Sequence, residues 1–260
     1  MIYDCFPFYQ EFELLEIRLN ELANVVDRFV LVEANRTHQQ REKPLYFQEN
    51  KERFAKFLPK IMHIVVNMPT DISVWEAEFH QRDQVAQGLT HCADDDVIIL
   101  GDADEIAKPL AICRYAESLH DIRKIICKNY AYFLNWYTGI WDSPKILRFR
   151  ELKTIHATYK KHNRAWFANI RISDPLPLYN GGWHFSWLGG IEGIRTKLRS
   201  FAHAEFQTEE NLGEEKITRC IEQGIDFFDP TIHFTLTPID QTFPRYIQEN
   251  QEKFKHLIKL

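Results

Sequence analysis

The chain has 260 residues, 45% of them apolar, and its 32 basic and 37 acidic side chains leave a formal charge of −5. That length buries a sizeable core in one large domain, and the acidic balance offers no electrostatic footprint for nucleic acid or anionic lipid. No apolar run reaches the roughly 18 residues that a membrane span needs, so no integral membrane association is expected. Cys5, Cys92, Cys113, Cys127 and Cys220 are scattered and form no Cys-x-x-Cys pair. They are read as reduced thiols of a cytoplasmic protein rather than as a structural zinc site.

In chain order, residues 11–22 predict an amphipathic helix with Phe12, Leu15, Leu19 and Leu22 on one face and Arg18 among the polar positions. Residues 28–34 read as a first buried strand. Its exit, with Glu33, Asn35 and Arg36, is either a binding loop or a plain solvated turn. Residues 37–43 are polar and read as a connection or lid, and a short helix over 50–57 leads to a strand over 61–66. A long helix over 75–92 places Trp75, Phe79, Ala86 and Leu89 on one inward stripe with Arg82 in its middle. A guanidinium there needs a core carboxylate or the phosphates of a ligand as partner.

Residues 94–96 are three aspartates read as a turn, and 97–106 is the stretch around which the rest is arranged. The bare apolar run Val97-Ile98-Ile99-Leu100 suits a strand buried on both faces, and Gly101-Asp102-Ala103-Asp104 follows at its exit. Two carboxylates spaced i, i+2 at a strand end can face one hard divalent cation, especially one that shares the oxygens of a phosphate. A turn that uses Asp for local hydrogen bonding is the alternative.

A helix is expected over 109–119 and a strand from 125. The aromatic block over 130–137, with Trp141, is strand-like and serves as a sugar-stacking wall or as core. Residues 148–161 read as mixed strand and loop, and 174–177 as a rigid irregular stretch. In residues 181–190 glycines bracket two tryptophans and His184, which is either a core residue or a ligand to a Mn²⁺-like ion. A helix over 191–204 carries Arg195, Lys197 and Arg199, suiting a diphosphate at its start or forming a solvated basic face. Helices over 213–223 and 244–256 are expected to pack on one catalytic domain spanning 1–260, because no repeat or linker divides the chain.

Taken together, Tyr3-Asp4-Cys5-Phe6-Pro7-Phe8, Leu14-Leu15-Glu16-Ile17-Arg18-Leu19, Phe29 to Asn35, Trp75-Glu76 with Gln81-Arg82-Asp83, Gly101 to Ile106, and Gly182-Trp183-His184-Phe185-Ser186 resemble glycosyltransferase family 17. The resemblance implies an α/β GT-A fold, a Rossmann-like, mostly parallel central sheet flanked by helices. It implies an inverting transfer of N-acetylglucosamine from the donor UDP-GlcNAc to a glycan acceptor. It also implies Mn²⁺ or Mg²⁺ held at Asp102 and Asp104, with His184, or second His203, completing the metal site. Glu33, Asn35 and Arg36 would lie near the nucleotide, and Arg82, Asp102 and Arg195 near its diphosphate. Asp142 and Glu192 are the candidates for the carboxylate base. A cytoplasmic member would not meet mature N-glycans, so a lipid-linked or cell-surface precursor is the expected acceptor. A transferase using another nucleotide sugar on the same fold, and a non-catalytic glycan-binding module, are the competing readings.

Overall fold

The N-terminal residues, for which pattern predicts no strand, form β1 (Ile2–Phe8) in the middle of the sheet. Asp4 and Pro7 interrupt the apolar run that would announce it. The expectation that residues 28–34 form the first strand is therefore corrected. Asp4 is tolerated at 0% exposure because the guanidinium of Arg18 pairs with it.

The computed structural model describes residues 1–118, 121–161 and 165–260. After β1 come α1 (Phe12–Leu22), β2 (Arg28–Ala34), α2 (Tyr46–Asn50), β3 (Ile61–Val66), α3 (Val74–Asp83), β4 (Val97–Leu100), β5 (Glu105–Ala107) and α4 (Pro109–Ala116). They are followed by β6 (Arg123–Ala131), β7 (Trp136–Trp141), β8 (Lys145–Arg148), α5 (Phe149–Lys161), α6 (Trp166–Ile172), β9 (Pro177–Ser186) and α7 (Gly190–Ser200). The last elements are α8 (Glu209–Leu212), α9 (Glu214–Gln223), β10 (Thr235–Leu236) and α10 (Arg245–Glu249).

The strands join in one mixed sheet in the order β10-β7-β6-β8-β4-β1-β2-β3, with β9 paired to β6 and β5. The run β4-β1-β2-β3 is parallel, as the α/β expectation requires. Beyond β4 the pairings turn antiparallel through β8, β6 and β7, while β6 and β9 run parallel. Successive side chains of a strand point to opposite faces, and here both faces are packed. Phe6, Phe29, Leu31 and Ile99 enter the core that takes up α1 and α4, whereas Cys5, Val30, Val32 and Leu100 enter the core with α3, α5 and α6. The C-terminal segment closes the first of these through Phe254 and Leu257, and the amide of Leu134 donates to the Leu257 carbonyl at 2.8 Å.

Several expected elements shift. The helix over 75–92 is α3 followed by a 3₁₀ turn, Gln84–Leu89. A capping box between Ser73 and Glu76 fixes its start, and the buried stripe is Ala77, Gln81, Arg82 and Val85, with Trp75 turned outward. Residues 149–161, read as strand and loop, are α5, because Phe149, Leu152 and Ile155 at three-residue spacing pack on the second core. The long helix over 244–256 shrinks to α10 and a 3₁₀ turn, Lys255–Leu257. The helix over 109–119 ends at Ala116, and Leu119 lies outside the described residues. The aromatic block is not one strand: Tyr132 at φ 63° turns the chain between β6 and β7, and Tyr130, Tyr132 and Trp136 are buried. Among the described residues no helix is long and apolar enough to cross a membrane.

Asp83 ties α3 to α6 by accepting the Phe167 amide at 3.1 Å. Burial pushes its carboxyl up from 3.8 to about 6, against the lowering effect of the Phe167 and Trp166 amides. Between those two values the folded form holds a proton that the unfolded form has lost, so stability falls as pH rises through this window. Asp83→Asn keeps the acceptor and removes the titration. The Tm of the wild type relative to this variant is therefore expected to fall from pH 4 to pH 6 and to stay level above, and a parallel pair of Tm–pH curves would refute it.

Candidate active site

A cleft of about 460 Å³ opens at the carboxyl ends of β1 and β4, where open α/β sheets bind ligands. Phe8 to Glu11 line it from the β1 exit, Arg36 to His38 from the β2 exit, Gln81 and Arg82 from α3, and Asp102 to Asp104 from the β4 exit. The start of α7 supplies Gly189, Gly193 and Lys197. Gly193 admits no side chain, since a Cβ there would stand 2.2 Å from the Leu188 carbonyl oxygen.

The three acids after β4 have three different environments. Asp102 is gripped by both terminal nitrogens of Arg82, one at 3.2 Å, and by Arg171 at 3.1 Å. Burial pushes its carboxyl up, but Arg171 and Arg82 outweigh that and hold it at about 2. Asp104 Oδ2 lies 3.2 Å from Lys197 Nζ and 3.5 Å from His184 Nε2. Burial opposes its ionisation, and Lys197 and His184 nevertheless hold it well below the usual carboxylate range. Glu105 is buried beneath them. It accepts both Arg171 nitrogens at 2.7 and 2.8 Å, the Trp141 indole at 2.5 Å and the Asp102 amide at 2.7 Å.

Arg18, expected on the polar face of α1, is fully buried. It donates to Asp4 at 2.7 and 2.5 Å, and its Nη1 donates to the carbonyls of Asp102, Ala103 and Glu105 at 2.7, 3.3 and 2.9 Å. Its spacing carries the signal: three residues after Leu15 and four before Leu22, it lies along the apolar stripe. Arg171 and Glu105 carry no comparable signal, because each finds its partners through the fold.

Of the residues expected at the nucleotide, Arg36 and Arg82 line the cleft. Arg36 is paired with Glu42, and Arg82 meets a carboxylate, the first of the two partners considered for it. Glu33 is corrected. Its carboxylate is fully buried away from the cleft and accepts the amides of Phe47 and Gln48 at 2.8 and 3.2 Å at the start of α2, and sits 3.1 Å from His63 Nε2. Asn35 is also corrected, since its side chain accepts the Met68 amide at 2.9 Å and braces the exits of β2 and β3. Arg195 turns from the cleft to the Leu212 carbonyl and Glu192, and Lys197 takes the inward place. His203 lies beside Glu205 at 2.7 Å, apart from Asp104. Neither proposed base lines the cleft: Asp142 pairs with Lys124 and Glu192 with Arg195.

His184 is buried, stacked on Trp141 with centroids 4.5 Å apart, and its Nδ1 lies 2.7 Å from Asn129 Oδ1. A proton on Nδ1 leaves the Nε2 lone pair facing the Asp104 carboxylate, an arrangement that needs a proton or a cation between the two. An imidazole nitrogen and a carboxylate so placed fit a divalent ion that draws its other oxygens from a ligand. Among the described residues no three His, Cys, Asp or Glu groups close such a site unaided.

The family model for glycosyltransferase family 17 matches residues 1–259. The β-1,4-mannosyl-glycoprotein 4-β-N-acetylglucosaminyltransferase of Rattus norvegicus is 27% identical over 290 residues, covering 96% of this chain and 53% of that protein. The Homo sapiens protein of the same name is 26% identical over 289 residues, covering 95% and 53%. The chain thus spans about half the length of the curated relatives it matches. Among solved structures, the mannosyltransferase PcManGT from Pyrobaculum calidifontis in complex with GDP-Man and Mn²⁺ overlaps at a TM-score of 0.37 and 12% identity, covering 59% of this chain and 46% of its own. Galactosyltransferase LgtC in complex with donor and acceptor sugar analogues overlaps at 0.35 and 11%, covering 99% and 97%.

Proposed function

The chain belongs to glycosyltransferase family 17, and on that premise we propose that it moves N-acetylglucosamine from UDP-GlcNAc to a glycan hydroxyl with inversion. The observation that carries this reading is the pairing of Asp104 with His184 and Lys197 at the exit of a central strand, facing a cleft of about 460 Å³. The curated relatives, by name, transfer N-acetylglucosamine to a mannosyl glycoprotein.

In this reading Asp104 and His184 would hold Mn²⁺ or Mg²⁺, and Asp102 stands two residues away in its arginine clasp. Such an ion would supply Lewis-acid stabilisation of the charge that develops on the departing diphosphate. The chain's own cations in the cleft, Arg36, Lys43, Arg82 and Lys197, set the same sign of charge against that group. The start of α7 borders the cleft through Gly189 and Gly193, and the positive end of a helix dipole there favours a phosphate. The acceptor oxygen attacks the anomeric carbon as the bond to the diphosphate oxygen breaks, and its proton passes to a carboxylate. Glu11 lines the cleft, and burial together with the nearby Asp104 raises its pKa, the direction a general base needs.

The test is UDP release from UDP-GlcNAc with Mn²⁺ and with EDTA, alongside thermal shifts in UDP and in GDP. Expected are stabilisation by UDP with Mn²⁺, which binds only the folded form, and loss of turnover in EDTA. Turnover that survives EDTA, or stabilisation by GDP alone, would overturn the metal or the donor assignment.

A further inference from the structure

From the cleft wall an aromatic surface runs outward to solvent. Trp187 and Phe201 line the cleft. The Trp187 ring stacks on Phe227 at 5.6 Å and meets the edge of Phe201 at 6.0 Å. From Phe201 the contacts continue through His203 to Trp75 at 4.7 Å, and through Phe206 to Phe228 at 4.4 Å. Trp75 and Phe228 remain 39% and 45% exposed, an uncommon state for large rings that lie together in one patch. Trp187 holds φ at 58°, a backbone region that bulky residues rarely adopt and that collects at ligand sites.

We propose that this surface is the acceptor subsite, on which the C–H faces of pyranose rings stack while the hydroxyl to be glycosylated reaches the cleft. This rests on the transferase reading above. Three features select a saccharide as the occupant. The patch is continuous with the cleft. Its rings are interleaved with polar groups, His203 and Glu205 in mutual contact at 2.7 Å, which suit hydroxyls rather than a second apolar surface. It is also joined to the charged centre by one side chain: Lys197 Nζ stands 5.2 Å from the Trp187 ring centroid and 3.2 Å from Asp104. Of the aromatic block over 130–137, read from sequence as a sugar wall or as core, Tyr130, Tyr132 and Trp136 are buried.

The probes are β-1,4-mannobiose and chitotriose, titrated by calorimetry into the wild type with and without UDP and Mn²⁺, and into Trp75→Ala, Trp75→Phe and Phe228→Ala. Stacking on one ring is expected to matter about ten-fold, so Trp75→Ala should weaken saccharide binding by about that factor while UDP affinity stays the same, and Trp75→Phe should recover most of the loss. Unchanged saccharide affinity in both alanine variants, or no saccharide binding to the wild type, overturns the proposal. Failure of the donor reading shows differently: UDP does not bind, yet the nucleotide-free protein still binds saccharide through Trp75.

Discussion

Replacing Asp104 by asparagine is expected to lower UDP-GlcNAc turnover by about 10²–10³-fold, the usual cost of removing one charged contact to a transition state. The amide preserves size and one acceptor oxygen for Lys197, but Lys197 and His184 lose the ionised partner they hold, so Tm should fall as well. What is lost is the negative charge facing His184 Nε2 at 3.5 Å, and with it Mn²⁺ affinity measured by calorimetry. Asp142→Asn and Glu192→Gln serve as controls. Both carboxylates lie outside the cleft on lysine and arginine partners, and both variants should turn over as the wild type does. Full activity in Asp104→Asn, or its loss in either control, would relocate the site.

Arg18→Met is expected to be the most destabilising single change. Arg18 and Asp4 are both at 0% exposure, and removing one partner of a buried pair leaves an unpaired charge at a cost of about 3–5 kcal/mol. In a chain of this size each kcal/mol moves Tm by about 2–4 °C, so Tm should drop by about 10 °C. The double variant Arg18→Met/Asp4→Leu removes both charges and should regain most of that loss. It still lacks the hydrogen bonds to the carbonyls of Asp102, Ala103 and Glu105. Turnover should therefore remain low when stability has returned. A double variant that recovers both would make Arg18 a stability element alone.

The parallel half of the sheet is legible because its strands are buried on both faces and so appear as bare apolar runs, as in Val97 to Leu100. β1 is hidden by an aspartate whose partner sits 14 residues on, and α5 by charged residues that separate its apolar positions. The acids of the β4 exit stand out for the same reason as the strand before them. Their surroundings do not. Arg171 and His184 reach Asp102 and Asp104 only through pairings of β9 and the placement of α6. Glu33 shows the opposite failure: a charge at a strand end suggested a ligand, whereas two amides at the start of α2 are its partners. Local pattern identifies a charge at a strand end but not the element that the tertiary fold brings against it.

Arg18 holds the loop after β4 entirely by carbonyl oxygens, and a carbonyl is the same whichever side chain its residue bears. The path of the chain from Asp102 to Glu105 is thus set from below by a mount that is indifferent to what the loop presents above. Two of the acids add a hold of their own: Asp102 lies between Arg82 and Arg171, and Glu105 accepts the Asp102 amide at 2.7 Å, so exchanging either one also releases its partners. An engineer could therefore vary residue 104 at the cleft while the Arg18 mount and the arginine clasp on Asp102 keep the backbone in place.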